Sequence, residues 1–148
     1  IEFSKVVLSS EQTAGDKLML IEGWAPAFSQ VEIEAYLNDA KSSAKGSYTA
    51  FVRSVSGIGM AYPDHDPWFN TKLLRGYIDL AEYEEEVRSY IDVYADFINY
   101  GYDHARTAEG FFYEDWTGKD PKRASQLLMQ DAVIESYAVL ALYYNEND

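Results

Sequence analysis

Carboxylates set beside large aromatic rings are the chemistry this chain offers. In Asp64–Tyr77, DHDPWFNTKLLRGY, Asp64 and Asp66 flank His65 and lead into adjacent Trp68 and Phe69, with Arg75 further on. In Gly110–Gly118, GFFYEDWTG, every residue from Phe111 to Trp116 is aromatic or acidic. Arg75 and Gln130 are polar groups on otherwise apolar helical patterns. Rings beside an acidic loop can floor a carbohydrate cleft, and glycoside hydrolysis needs two carboxylates flanking the scissile bond. Each residue also has a plainer reading. Asp66 suits a helix N-cap, Asp115 a turn hydrogen bond, and Trp68 and Trp116 the core. Arg75 suits an ion pair, Gln130 a helix surface and His65 a solvated loop. No Gly-rich phosphate loop, nucleophile elbow or Ser/His/Asp pattern is present.

Charge and composition narrow the partners. The 148 residues carry 25 acidic and 12 basic side chains, a formal charge of -13. Phosphate binding needs a basic footprint, so nucleic acid is excluded as the expected partner, and an anionic membrane surface is disfavoured likewise. No apolar run is long enough to span a membrane. Aromatics make up 16% of the chain, including 13 Tyr, which pack a ring while keeping a hydroxyl for hydrogen bonds. With no cysteine there is no disulfide, thiol catalysis or zinc–thiolate site. His65 and His104 stand far apart and outside any H-E-x-x-H pattern, so neither a metal nor another cofactor is expected.

The elements that must position these groups read as helices. Ser29 with Glu32 matches a capping box, and Ile33, Tyr36, Leu37, Ala40 and Ala44 recur at helical spacing before Gly46, a natural stop. A short second helix over Tyr48–Val55 precedes a loop opened by Gly57 and Gly59. Asp66-Pro67 begins the next helix, to about Ala81, with Phe69, Leu73, Tyr77 and Ala81 on one stripe. From about Glu84 to His104, Val87, Tyr90, Ile91, Tyr94, Phe97 and Ile98 keep a three-four spacing. A last helix runs from Asp120-Pro121 to about Tyr144. Its apolar positions, among them Leu127, Leu128, Ala132, Tyr137, Ala138 and Leu142, cover much of the circumference, which predicts deep burial. Residues 1–27 are poorly defined: Val6-Val7-Leu8 and Leu18-Met19-Leu20-Ile21 fit either paired strands or a strand and a buried helical turn. No repeat of fixed period is present.

The stretch Trp68–Tyr77 resembles a helix of family 76 glycoside hydrolases, the endo-α-1,6-mannanases, in which a Phe is followed six residues later by an Arg. Those fall on Phe69 and Arg75. The resemblance continues through Gly110-Phe111-Phe112, Asp115-Trp116 and Leu127-Leu128-Met129-Gln130, and covers about Val31 to Tyr144. Asn70 stands where many members have Lys. The family's catalytic pair is two consecutive aspartates upstream of the matched region, and this chain has no Asp-Asp dipeptide.

The resemblance implies an all-α fold of antiparallel helical hairpins, part of an (α/α)6 toroid with a sugar groove at one end. It implies hydrolysis of α-1,6-linked mannan, with residues 1–148 forming a single helical domain or the C-terminal part of a larger catalytic one. The beginning Ile1-Glu2-Phe3, without initiator Met or signal peptide, reads as a processed or partial chain. Trp68, Tyr113 and Trp116 are then expected to stack on sugar, with Phe69 in the same groove. Arg75, Asp115 and Gln130 are expected to make or support polar contacts, and none of the seven is catalytic. The partner is a mannan-like polysaccharide or oligosaccharide, met in a secreted, periplasmic or cell-surface setting. A non-catalytic glycan-binding protein is the alternative, and a helical protein-interaction scaffold a third.

Overall fold

The computed structural model describes residues 3–8, 21–26, 30–63, 67–121 and 127–147, for 3–8, 21–26 and 30 by their backbone alone. It is mostly helical and divides into two compact units, residues 1–38 and 39–148. The first contains β1 (Phe3–Leu8) and β2 (Ile21–Pro26), paired antiparallel with Phe3 opposite Pro26 and Leu8 opposite Ile21. Val6-Val7-Leu8 thus lies in a strand, whereas of the run Leu18-Met19-Leu20-Ile21 only Ile21 is among the described residues, opening β2; Trp24 lies inside β2 and Pro26 closes it.

Helix α1 (Gln30–Phe51) passes straight through Gly46, whose missing side chain faces open space. A mid-helix Gly costs about 1 kcal/mol against Ala, and the contacts beyond it outweigh that. Ala44 is buried, the Ser47 hydroxyl meets the Tyr77 hydroxyl at 3.0 Å, and the Tyr48 ring stacks on Tyr90 at 3.9 Å. The expected break at Gly46 and the separate helix over Tyr48–Val55 are therefore absent. Ile33 and Tyr36, read as core positions, are exposed. The Ser29 cap lies outside the described residues.

In residues 39–148 the scaffold is α2 (Pro67–Leu80), α3 (Glu86–His104) and α4 (Leu127–Asn147). Pro67 occupies the first position of α2 as its fixed φ favours, while the Asp66 cap lies outside the described residues. Along α2 and α3, Thr71 meets Tyr94 and Tyr77 meets Tyr90, so the two helices run antiparallel. Along α3 and α4, Asp92 meets Tyr144 and Ile98 meets Tyr137, so these are antiparallel too. The buried stripe of α2 is Asn70, Thr71, Leu74, Tyr77 and Leu80, rotated from the expected one. Docking against two helices at once selects that face and leaves Phe69 62% exposed. On α4, Ala132, Val133, Ser136, Leu140 and Tyr143 are buried, but Leu127, Ile134 and Leu142 stay exposed. The expectation of burial around α4 thus holds for one face only.

The three helices are tied by a buried hydroxyl cluster. Thr71 Oγ1 lies 2.9 Å from Ser136 Oγ, which lies 2.9 Å from the Tyr94 hydroxyl. Thr71 also donates within reach of the Pro67 and Ala132 carbonyls, at 2.9 and 3.1 Å. Polar groups shut away from water must partner one another, and one such set on three helices fixes their mutual register. Burial pushes the Tyr94 phenol up to about 12, although its bonds to Ser136 and Thr71 pull the other way. Burial raises the Tyr62 phenol further still.

A raised phenol stabilises the fold below its unfolded value near 10, and that contribution is lost as pH climbs through the folded value. Stability should therefore stay level from pH 7 to 9.5 and fall steeply between pH 10 and 12. Tyrosinate absorbance at 295 nm should rise for the buried rings only as far-UV circular dichroism is lost. Ionisation of all 13 tyrosines near pH 10 with the helices intact would contradict this burial.

Candidate functional site

At the end of α1 the chain turns into a hairpin that sequence periodicity did not reveal. The Val52 amide donates to the Tyr48 carbonyl, closing the helix, and β3 (Arg53–Val55) then pairs antiparallel with β4 (Gly59–Ala61). The turn needs left-handed backbone at Gly57, φ 81°, and Gly59, φ 102°. Opposed residues share a face, so Arg53 with Ala61 and Val55 with Gly59 look one way, Ser54 with Met60 the other. Alternation in Arg53-Ser54-Val55 and Gly59-Met60-Ala61 around Gly57 was the available signal, but three-residue strands are too short to display it clearly.

The Arg53 face of this hairpin borders a cavity of about 360 Å³, lined also by Phe51, Tyr62, Pro63 and Thr117. That volume lies within the range of small-ligand sites. One of the two segments singled out by sequence reaches it, through Thr117 of the Gly110–Gly118 loop, while Pro63 stands just outside the other, Asp64–Tyr77. Phe51 is half exposed. Tyr62 is buried, donating its hydroxyl to the Tyr90 carbonyl at 3.0 Å.

Asp115 sets the position of Thr117. Its Oδ1 accepts from the Thr117 amide at 2.8 Å and from the Thr117 hydroxyl, while Oδ2 accepts from the Asp120 amide at 2.9 Å. This is the turn-organising role that aspartate takes readily. Gly118 follows at φ 71°, where a Cβ would lie 2.7 Å from the His104 carbonyl oxygen. Beneath the loop, Trp116 is 1% exposed. Its ring lies 5.8 Å from Phe97, 6.0 Å from Phe112 and 6.1 Å from Tyr94, and its Cβ would stand 3.1 Å from a Cβ added at Gly101. An indole so enclosed offers no face to a sugar.

The other expected contact residues fall elsewhere. Gln130 holds the loop to α4 by both ends of its amide: Oε1 accepts from the Phe112 amide at 3.1 Å and Nε2 donates to the Phe112 carbonyl at 2.9 Å. Tyr113 is half-buried and its amide donates to the Ala105 carbonyl. Trp68 is half-buried, edge-on to Phe69 at 5.0 Å, with the Lys72 ammonium 5.3 Å from its ring centre. Arg75 and Lys72 both bind Glu135, at 2.7 and 2.9 Å. Trp68, Phe69, Lys72, Arg75 and Glu135 thus belong to the α2 and α4 surface. None of the seven residues lines the 360 Å³ cavity.

The Lys72 hydrogen bond, aided by the charge of Arg75, holds the Glu135 carboxyl below the usual carboxylate range. A general acid needs the opposite shift. Among the described residues no group of three His, Asp or Glu side chains is placed to hold a metal ion. No helix among them is long and apolar enough to cross a membrane. No protein-family model, curated protein or solved structure matches the chain.

Proposed function

We propose that this chain supplies part of the substrate-binding wall of an (α/α) toroid that acts on α-1,6-linked mannan outside the cell. The 360 Å³ cavity is its pyranose subsite. The observation carrying this reading is that cavity itself, where Thr117 of the aromatic–acidic Gly110–Gly118 loop meets Tyr62 and the half-exposed Phe51 ring. A phenyl face accepts the C–H face of a pyranose, and hydroxyl and guanidinium groups around it orient the sugar. Phe51 takes the platform role expected of Trp116, whose burial removes it from that role. The resemblance to family 76 glycoside hydrolases supplies the substrate class. A ring of further helices is supported by α4, whose uncovered face bears Leu127, Ile134 and Leu142. An exposed apolar stripe on a helix is suited to cover by a neighbour.

Hydrolysis itself is assigned to carboxylates beyond these residues, because the chain has no Asp-Asp dipeptide. The same absence favours the second reading, a non-catalytic glycan-binding protein. Both require that residues 1–148 bind α-1,6-mannan oligosaccharides without cleaving them. Titration calorimetry should show that binding, weakened about tenfold by Phe51→Ala through loss of ring stacking. Cleavage by this chain alone would refute the placement of the acids, and absence of binding would refute the glycan reading.

A further inference from the structure

The donors around the cavity are unequally committed. The Tyr62 hydroxyl is given to the Tyr90 carbonyl and the Thr117 hydroxyl to Asp115, so each retains acceptor capacity. Arg53 lines the cavity without such a commitment. Several other described cations are engaged, Lys41 with Glu84, Lys45 with Glu86, Lys72 and Arg75 with Glu135, and Arg106 over the Tyr102 ring, whereas Arg88 and Lys119, away from the cavity, have no such partner among the described residues. Among the described residues no carboxylate pairs with Arg53, and no acidic side chain lines the cavity. Arg53, exposed at the wall of the cavity, thus has no carboxylate partner among the described residues. The β3–β4 ladder fixes its backbone opposite Ala61, two residues beyond the Phe51 ring.

We infer that this cavity selects a hexose bearing one anionic group, a carboxylate or a phosphate, with Arg53 as the specificity-determining contact. The inference rests on the glycan reading above and narrows it. A guanidinium presents five N–H donors in a planar fork, matched by the several acceptor sites of a carboxylate or phosphate. A sugar hydroxyl satisfies one or two of them. The overall negative charge opposes an anion at long range, but that field is screened within about 8 Å at physiological salt, while a contact pair is not. Phe51 beside Arg53 then divides recognition between ring stacking and charge.

The test compares α-1,6-mannotriose with the same trisaccharide carrying a terminal 6-phosphate, and with one ending in glucuronate, by titration calorimetry. At least one charged ligand should bind about tenfold more tightly than the neutral one, and which one does identifies the anion. Arg53→Gln should abolish that advantage while weakening neutral binding much less and leaving the thermal midpoint unchanged, and Arg53→Lys should retain part of it. Equal affinity for all three ligands, or an advantage surviving Arg53→Gln, overturns the inference and leaves the glycan reading standing. Inorganic phosphate binding as tightly as the phosphorylated trisaccharide overturns it also, because the sugar would then contribute nothing. Binding of none of the three overturns both.

Discussion

Trp116→Ala is expected to destabilise the fold by about 3–5 kcal/mol, the usual cost of emptying a buried aromatic site. The ring fills the space between α3 and the Gly110–Gly118 loop, against Phe97, Phe112 and Gly101, and the helix backbone cannot collapse into the gap. Among the described residues, the Trp116 indole Nε1 is a buried side-chain polar atom with no hydrogen-bond partner. Such an orphan costs roughly 1–3 kcal/mol. Trp116→Phe removes it while keeping much of the apolar volume, so that variant should lose only about 1–2 kcal/mol by the same terms. Urea denaturation followed by circular dichroism measures both. Equal losses would show that the indole nitrogen is satisfied, and a loss under 1 kcal/mol for Trp116→Ala would contradict its burial.

The second large effect is expected at Gly118. At φ 71° an L side chain is strained by roughly 1–2 kcal/mol. The added Cβ would also lie 2.7 Å from the His104 carbonyl oxygen, a backbone atom with no rotamer to yield. Overpacking of that kind adds about 1–3 kcal/mol, so Gly118→Ala should cost roughly 3 kcal/mol in total. Gly57 makes the control: its φ is 81°, but nothing lies within 4 Å of an added Cβ. Gly57→Asn should be nearly neutral because Asn tolerates left-handed backbone, whereas Gly118→Asn should still be costly. Similar midpoints for the two Asn variants would mean that the His104 approach is not as close as described.

Much of this is legible in the sequence. The three-four spacing from Val87 to Ile98 defined α3, and those residues are buried as that period requires. Pro67 marked the start of α2, where it costs no hydrogen bond. Asp115 had a turn role open to it, and its two oxygens take it up. Gly46 predicts a helix break that does not form, because its propensity is worth about 1 kcal/mol, less than burying Ala44 and stacking Tyr48 on Tyr90 together contribute. The hairpin Arg53–Ala61, and with it the cavity, is not legible in the sequence because three-residue strands hardly express a period of two.

The sequence by itself determined the helical period, the charge, and the rings and carboxylates grouped in two segments. Only tertiary structure decided which rings face water. A ring is equally apolar wherever it sits, so its composition signal is the same in a core and in a cleft. Helix docking then sealed Trp116, left Phe51 half open, and engaged Arg75 with Glu135 while Arg53 remained at the cavity wall. Those choices depend on which faces of α2, α3 and α4 meet, and contacts between residues 60 or more positions apart, such as Thr71 with Ser136, settle them.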